Sequence, residues 1–169
     1  MLRIVGVGLV GLGTVWGAVE GVMWLRQRVK NASDLEHGIS LLRQELELAP
    51  VSIEQLMIQM ENVCEGEAKR LFLGFRKRLC NLEYKSVPVL WQEAVEELED
   101  IPSEIHTILV LVGTVLGRYD IHEQVETMRI VEQRLGQVRE QMWGKLRQQE
   151  KIFWALSTSA GGFLIILLI

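Results

Sequence analysis

The side chains of this sequence that could carry out nucleophilic, acid–base or metal chemistry are few and widely separated. The histidines are His37, His106 and His122, and the cysteines are Cys64 and Cys80. Neither cysteine has a histidine or the other cysteine at metal-ligand spacing, and no serine has a histidine and an acid in a triad context. The sequence therefore predicts two reduced, buried thiols, no catalytic residue, no metal, no cofactor and no enzymatic activity.

Three glycines near the start match the pattern Gly-x-Gly-x-x-Gly: Gly6, Gly8 and Gly11. In dinucleotide-binding proteins this pattern joins a strand to a helix, inside a unit that needs further strands and an acid about 20 residues on. Here no second strand follows, and the run stays apolar as far as Glu20. Glycine is also common in membrane helices. We therefore expect no nucleotide at these glycines.

Both ends of the sequence are apolar. Residues 4–25 carry no charge except Glu20, and residues 152–169 carry none. About 17–25 apolar residues are enough for a helix to cross the hydrocarbon core of a membrane. The prediction is a transmembrane helix over 1–25, a water-facing domain over 26–151 and a second transmembrane helix over 152–169. The first segment lacks the basic start and the small-residue cleavage site of a secretory signal peptide.

Lysine and arginine predict the orientation of these spans. The side of each span that faces the middle segment is basic, and its residues are Arg26, Arg28, Lys30, Lys145, Arg147 and Lys151. On the opposite sides of the spans, the basic groups are Arg3 and the amino terminus alone. Because basic flanks remain in the cytoplasm, residues 26–151 are expected there and both termini on the other side. The formal net charge is −4, and the sequence has no basic stripe of the kind that binds nucleic acid. We therefore expect no nucleic-acid partner.

The middle segment has the apolar period of α-helices almost throughout, and no run has the period of a strand. The prediction is an all-α fold, a cytoplasmic six-helix bundle whose first and last helices run directly into the two transmembrane helices. Ser52 begins the second helix with Gln55 at the capping-box position. Gly117 ends the fifth helix, and Asp120 caps the sixth.

Small residues recur every four positions in both apolar ends. They would lie on one helix face and allow close packing in lipid; they are Gly13, Gly17 and Gly21 in the first and Ser157 and Gly161 in the second. The alternative, that lipid simply tolerates these glycines, stays open. Glu20 either lies at the interface and pairs with Arg26 or a neighbouring chain, or contacts another membrane helix of an assembly.

Two clusters of charge stand in the middle segment. The basic cluster comprises Lys69, Arg70, Arg76, Lys77 and Arg78, and the acidic cluster comprises Glu93, Glu96, Glu97, Glu99, Asp100 and Glu104. Each is either a solvated surface or a docking surface that steers a partner of opposite charge. From the acidic cluster we select Glu93, Glu96, Glu97 and Asp100 as docking residues, because residues three and four apart are neighbours on one helix face and these four are expected to share one.

Several segments resemble one known family. They are Trp16-Gly17-Ala18-Val19-Glu20, Gln27-Arg28-Val29-Lys30, Gly113-Thr114-Val115-Leu116-Gly117-Arg118-Tyr119-Asp120 with Gln124, and Glu150-Lys151 before the apolar tail. The sequence resembles the stage III sporulation protein AB family (SpoIIIAB) of endospore-forming bacteria over its whole length. The resemblance implies a domain similar to the cytoplasmic domains of type II secretion and type IV pilus platform proteins (GspF-like).

The resemblance also implies partners and a location. These are a cytoplasmic secretion-type ATPase of the same operon (SpoIIIAA-like), other stage III sporulation membrane proteins and membrane lipid, in the mother-cell membrane around the forespore. The expected function is a non-enzymatic platform of a secretion-like channel complex that couples to the ATPase. A two-span adaptor or signalling scaffold without an ATPase partner is the alternative, and a homo-oligomer stays open.

Overall fold

The structure is a computed structural model that describes the backbone of residues 2–48, 52–80, 85–117 and 120–168. It describes side chains from residue 20 to residue 152 of those ranges. Six helices account for most of these residues, and none of them is in a strand. The helices are α1 (Leu2–Leu48), α2 (Ile53–Val63), α3 (Gly66–Cys80), α4 (Val87–Glu96), α5 (Ser103–Val115) and α6 (Ile121–Leu168). The predicted all-α fold with six helices is confirmed.

The first and last helices are much longer than the other four. α1 and α6 have 47 and 48 residues, so each continues into an apolar end of the sequence without a break. The side chains of 1–19 and 153–169, which make up most of the two predicted transmembrane segments, lie outside the described residues. Among the residues that are described, no helix is sufficiently long and apolar to span a bilayer.

The chain divides into two compact units. One consists of Met1–Gln27 with Gln141–Ile169, and the other is Arg28–Glu140. The Arg28–Glu140 unit contains most of the buried apolar side chains, which come from all six helices; the largest are Trp91, Phe72, Phe75, Leu35, Ile39, Leu42, Leu56, Met57, Met60, Leu71, Ile105 and Leu109. These positions recur with helical period, so burial of one face of each helix stabilises the unit.

Trp91 of α4 is fully buried in this core. Its ring meets that of Phe75 edge-on, with centroids 5.1 Å apart, and that of Phe72 at 6.3 Å. Its Nε1–H donates to the carbonyl oxygen of Leu109 at 2.8 Å, so the indole is buried without an unsatisfied donor. Gly113 of α5 makes this packing feasible, because a Cβ there would lie 2.6 Å from Cδ1 of Trp91.

The helix ends show why the short helices begin and stop where they do. Ser52 Oγ accepts from the backbone N–H of Gln55 at 3.3 Å, and Asp120 Oδ1 accepts from that of Glu123 at 3.2 Å. Gly117, just beyond α5, has φ +83°, a conformation that favours glycine. These are the positions that the sequence assigns to two N-caps and a helix stop.

Two details of the sequence-based interpretation are wrong. Cys64 is buried as expected, but Cys80 at the end of α3 is exposed. The fourth helix ends at Glu96, where the N–H of Leu98 bonds to the carbonyl of Val95 at 3.1 Å in a tight turn. Asp100 follows with φ +55°, so it does not share a helix face with Glu93 and Glu96.

Candidate partner-docking surface

The surface formed by α3, α4 and the turn after α4 contains the basic cluster and all of the acidic cluster except Glu104, which lies in the first turn of α5. α4 begins after Ser86 with Pro88 in its first turn, where the missing N–H of proline costs nothing. Trp91, Ala94 and Val95 hold its inner face against the core. The acids between these apolar positions are therefore left on the outer side, within reach of the arginines at the end of α3.

Arg78 joins the two clusters. Its guanidinium forms a close ion pair with Glu97, lies 3.7 Å from Glu93 through Nε, and donates through Nη1 to the carbonyl oxygen of Gly74 at 3.0 Å. Lys85 Nζ approaches the other oxygen of Glu93 at 2.5 Å. The hydrogen bond from Arg78 lowers the pKa of Glu97. The basic and acidic clusters, which the sequence presents as separate surfaces, thus neutralise each other in part.

The other acids of the cluster are more accessible. Glu96 is exposed and accepts from Nε2 of Gln92 at 2.9 Å. The side chain of Glu99 is 81% exposed and lies 4.0 Å from Arg70, whose shorter contact is with Glu67 at 2.8 Å. Asp100 is exposed in the turn after α4. Of the predicted docking residues, Glu96 and Asp100 are therefore available to a partner, whereas Glu93 and Glu97 already have cationic neighbours.

A second charged arrangement, which the sequence patterns above do not reveal, joins α1 and α6 within the Arg28–Glu140 unit. Arg43 Nε lies 2.9 Å from Glu132 Oε2, and Arg139 Nε lies 2.7 Å from Glu36 Oε2. These residues line an open groove of about 470 Å³. Burial raises the pKa of Glu36, and the charge of Arg139 opposes the rise.

The spacing of these four residues contains a signal that could have identified them. On α1 a glutamate precedes an arginine by seven positions, Glu36 and Arg43, and on α6 Glu132 precedes Arg139 by the same interval. Seven residues are about two helical turns, so two such helices running antiparallel place each acid opposite an arginine. The observed pairs, Glu36 with Arg139 and Arg43 with Glu132, have that reciprocal pattern.

Asp34 of α1 supports the start of α3. Its carboxylate accepts a hydrogen bond from the backbone N–H of Glu67, in the first turn of α3. Burial nevertheless raises the pKa of Asp34 above its usual value, while Lys30 and this hydrogen bond lower it. Nearby, a Cβ at Gly38 would lie 2.7 Å from that of Ala68, so glycine permits the close approach of α1 and α3.

The residues predicted to pack membrane helices are only partly within the described part of the chain. The side-chain surroundings of Gly13, Gly17, Ser157 and Gly161 lie outside it. Glu20 and Gly21 are both exposed, and a Cβ at Gly21 would meet no described atom within 4 Å. Arg26 forms an ion pair with Glu150 at 2.6 Å.

The described side chains do not form a metal site. No group of three or more His, Cys, Asp or Glu among them is arranged so that it could hold a metal ion. What the arrangement offers is a set of ion pairs between neighbouring helices and a few exposed acids beside them. Such a surface can steer and orient a basic partner.

Comparison with known proteins identifies the family. A solved structure of "Stage III sporulation protein AB (SpoIIIAB)" has a similar fold, with a TM-score of 0.63 and 15% sequence identity, covering 72% of this chain and 97% of that one. Comparison with curated proteins gives no match. The family model "Stage III sporulation protein AB" matches residues 3–169. Because that match extends over nearly the whole sequence, the chain belongs to the stage III sporulation protein AB family.

Proposed function

We propose that the protein is a non-enzymatic membrane platform in stage III sporulation that couples a secretion-like channel complex to a cytoplasmic ATPase. The observation that carries this proposal is the family match over residues 3–169. In the proposal the chain crosses the mother-cell membrane around the forespore twice. Its central domain lies in the mother-cell cytoplasm, beside other membrane proteins of the same sporulation stage.

Ion pairs between different helices and turns, among the described residues, support a structural role for the protein. Arg43, Arg76, Arg78 and Arg139 each pair with an acid of another helix or turn. These contacts fix how helices meet and are suited to a rigid support. Pairs that are partly exposed each contribute about 0–1 kcal/mol, so they specify arrangement more than they add stability.

The exposed acids after α4 are the proposed docking site for the ATPase. The sequence assigns this role to Glu93, Glu96, Glu97 and Asp100, and the contacts of Arg78 divide that set. A basic partner would meet Glu96, Glu99 and Asp100 first, and would have to compete with Arg78 for Glu93 and Glu97. Charges at the rim of an interface act mainly on the association rate and are screened by salt.

Binding of the full-length chain to the ATPase tests the proposal. The chain is reconstituted in lipid nanodiscs, and the association rate is measured over a range of salt concentrations for wild type and for Glu96→Lys/Glu99→Lys. A matched control, Glu126→Lys/Glu140→Lys, makes the same change of charge at two exposed acids of α6. We expect the first variant to associate more slowly and with a weaker dependence on salt, and the control to behave as wild type does.

Two other results would contradict parts of the proposal. If Glu96→Lys/Glu99→Lys keeps its helical content and associates as wild type does, the docking site lies elsewhere. If the wild-type chain does not bind the ATPase, the coupling role is wrong, and the adaptor without an ATPase becomes the better account.

A further inference from the structure

Exposed apolar side chains lie together at one level of the unit formed by Met1–Gln27 and Gln141–Ile169. Met23 is 63% exposed, and Trp24 and Ile152 are each 52% exposed; these three residues are termed the collar. The ion pair between Arg26 Nη2 and Glu150 Oε1, at 2.6 Å, fixes which residues of the two helices are neighbours. Trp24 precedes Arg26 by two residues and Ile152 follows Glu150 by two, which is about 3 Å along each helix at ~1.5 Å per residue.

The sequence changes character at the collar. On one side, residues 4–22 and 153–169 contain a single charged residue, Glu20. On the other side, residues 26–30 and 145–151 together contain six Lys or Arg, termed the basic belt, and one acid, Glu150, in a chain whose net charge is −4. Several large exposed apolar side chains at one level form a patch of the kind that marks an interaction surface, whereas single exposed apolar residues are common on protein surfaces. A surface that is apolar on one side and anionic on the other fits both features.

We propose that the collar lies at the boundary between headgroups and acyl chains of an anionic phospholipid bilayer. This inference rests on the proposed membrane location. Trp24 and Ile152 face the outer acyl region, where tryptophan is favoured because its ring is apolar and its N–H is polar. The neighbouring Lys145, Arg147 and Lys151 bind lipid phosphates, since basic residues beside a membrane attract anionic headgroups and their long side chains extend toward the interface from helix positions outside it.

A second tryptophan that is exposed among the described residues provides an internal reference. Trp143 is 44% exposed and precedes Glu150 on α6, so it lies about 10 Å from the ion pair along that helix, on the side of the basic belt. This displacement exceeds the depth of a headgroup layer, which occupies about 5–8 Å of each leaflet. Trp143 is therefore in water when Trp24 is in contact with lipid.

Quenching of tryptophan fluorescence by brominated lipids tests the inference on the full-length chain in vesicles. Wild type is compared with Trp24→Phe and Trp143→Phe, in phosphatidylcholine that contains phosphatidylglycerol, with bromine near the headgroup end of the acyl chain. The emission that Trp24→Phe removes should be strongly quenched, and the emission that Trp143→Phe removes should not be. Placing the bromine on phosphatidylglycerol should quench the Trp24 component severalfold more than placing it on phosphatidylcholine at the same mole fraction.

The basic belt supplies the second part of the test. Lys145→Gln/Lys151→Gln should remove most of the preference for brominated phosphatidylglycerol while the quenching of Trp24 by brominated phosphatidylcholine is retained. The inference is overturned if the Trp24 component is not quenched, if the Trp143 component is quenched equally, or if the lipid preference survives in the lysine variant. ATPase binding by Trp24→Phe is measured in parallel, so that a failure here is separable from a failure of the proposed coupling.

Discussion

Asp120 caps the start of α6 through one carboxylate oxygen. Its Oδ1 accepts the N–H of Glu123 and so satisfies one of the donors that the start of α6 leaves without a helical partner. Asp120→Ala should lower the free energy of unfolding by about 0.5–2 kcal/mol. Thermal melting of the full-length chain in detergent, followed by circular dichroism, measures the loss. Asp120→Asn keeps the acceptor and should melt close to wild type; an alanine variant with an unchanged midpoint would contradict the cap.

Asp34 makes the free energy of unfolding depend on pH. Its pKa is raised in the folded protein, so above the usual pKa of an aspartate the folded state bears the cost of a partly buried carboxylate that the unfolded state does not. Asp34→Asn keeps an acceptor for the N–H of Glu67 and removes that cost. The unfolding free energy of the variant minus that of wild type should therefore rise as pH increases through the titration of Asp34.

Urea titrations at a series of pH values measure this difference. It should be smallest below the usual pKa of aspartate, where both states are protonated, and level off above the raised pKa. A difference that falls with increasing pH would mean that ionised Asp34 stabilises the fold, in contradiction to burial as the dominant cause.

Between elements, α4 packs closely on α5. Gly113→Ala would place a Cβ 2.6 Å from the ring of Trp91, which is fully buried and cannot move aside easily. We expect a loss of about 1–3 kcal/mol, the usual cost of overpacking. Gly74→Ala is the matched control, since its nearest neighbour, at 3.4 Å, is the flexible end of Arg78. The control should be neutral or slightly stabilising, and equal losses in both variants would show that the contact with Trp91 is not the cause.

The reciprocal pairs of α1 and α6 predict a rescue. Glu36→Arg places like charges together beside Arg139 and should destabilise the chain by about 1 kcal/mol or less, because the pair is partly exposed. Adding Arg139→Glu restores opposite charges and should recover most of the loss. Denaturant titrations of the two single variants and the double variant give the coupling energy. Losses that simply add would mean that the two side chains do not interact.

The sequence predicts structural features that arise within one helix. It does not predict the contacts that arise where two helices meet. Periodicity and local capping chemistry locate Ser52, Gly117 and Asp120, because their partners are within four residues. The pairing of Arg78 with Glu97 and the contact of Gly113 with Trp91 depend on how α3, α4 and α5 meet. The early end of α4 is hidden in the sequence because Leu98 continues the apolar period of Trp91, Ala94 and Val95 past the turn.

For the whole molecule, the prediction is one of orientation. A reporter that is active only in the cytoplasm, fused after Ile169, should be silent, because the basic flanks of both apolar ends face the middle segment. The same reporter fused after Lys151, with the last segment deleted, should be active and serves as the control. Activity after Ile169 would mean that the C-terminus is cytoplasmic and the proposed topology is wrong.

The ion pairs of Arg78 make the attraction of a cation at long range differ from its binding at contact. Within about a Debye length, 8–10 Å in physiological salt, an approaching cation responds to the net charge and is drawn in. At contact, a cation that reaches Glu97 must first displace a guanidinium that is already there. Binding then exchanges one ion pair for another, so attraction can be fast while the bound complex gains little. Such a surface favours partners that associate and dissociate rapidly over partners that form long-lived complexes.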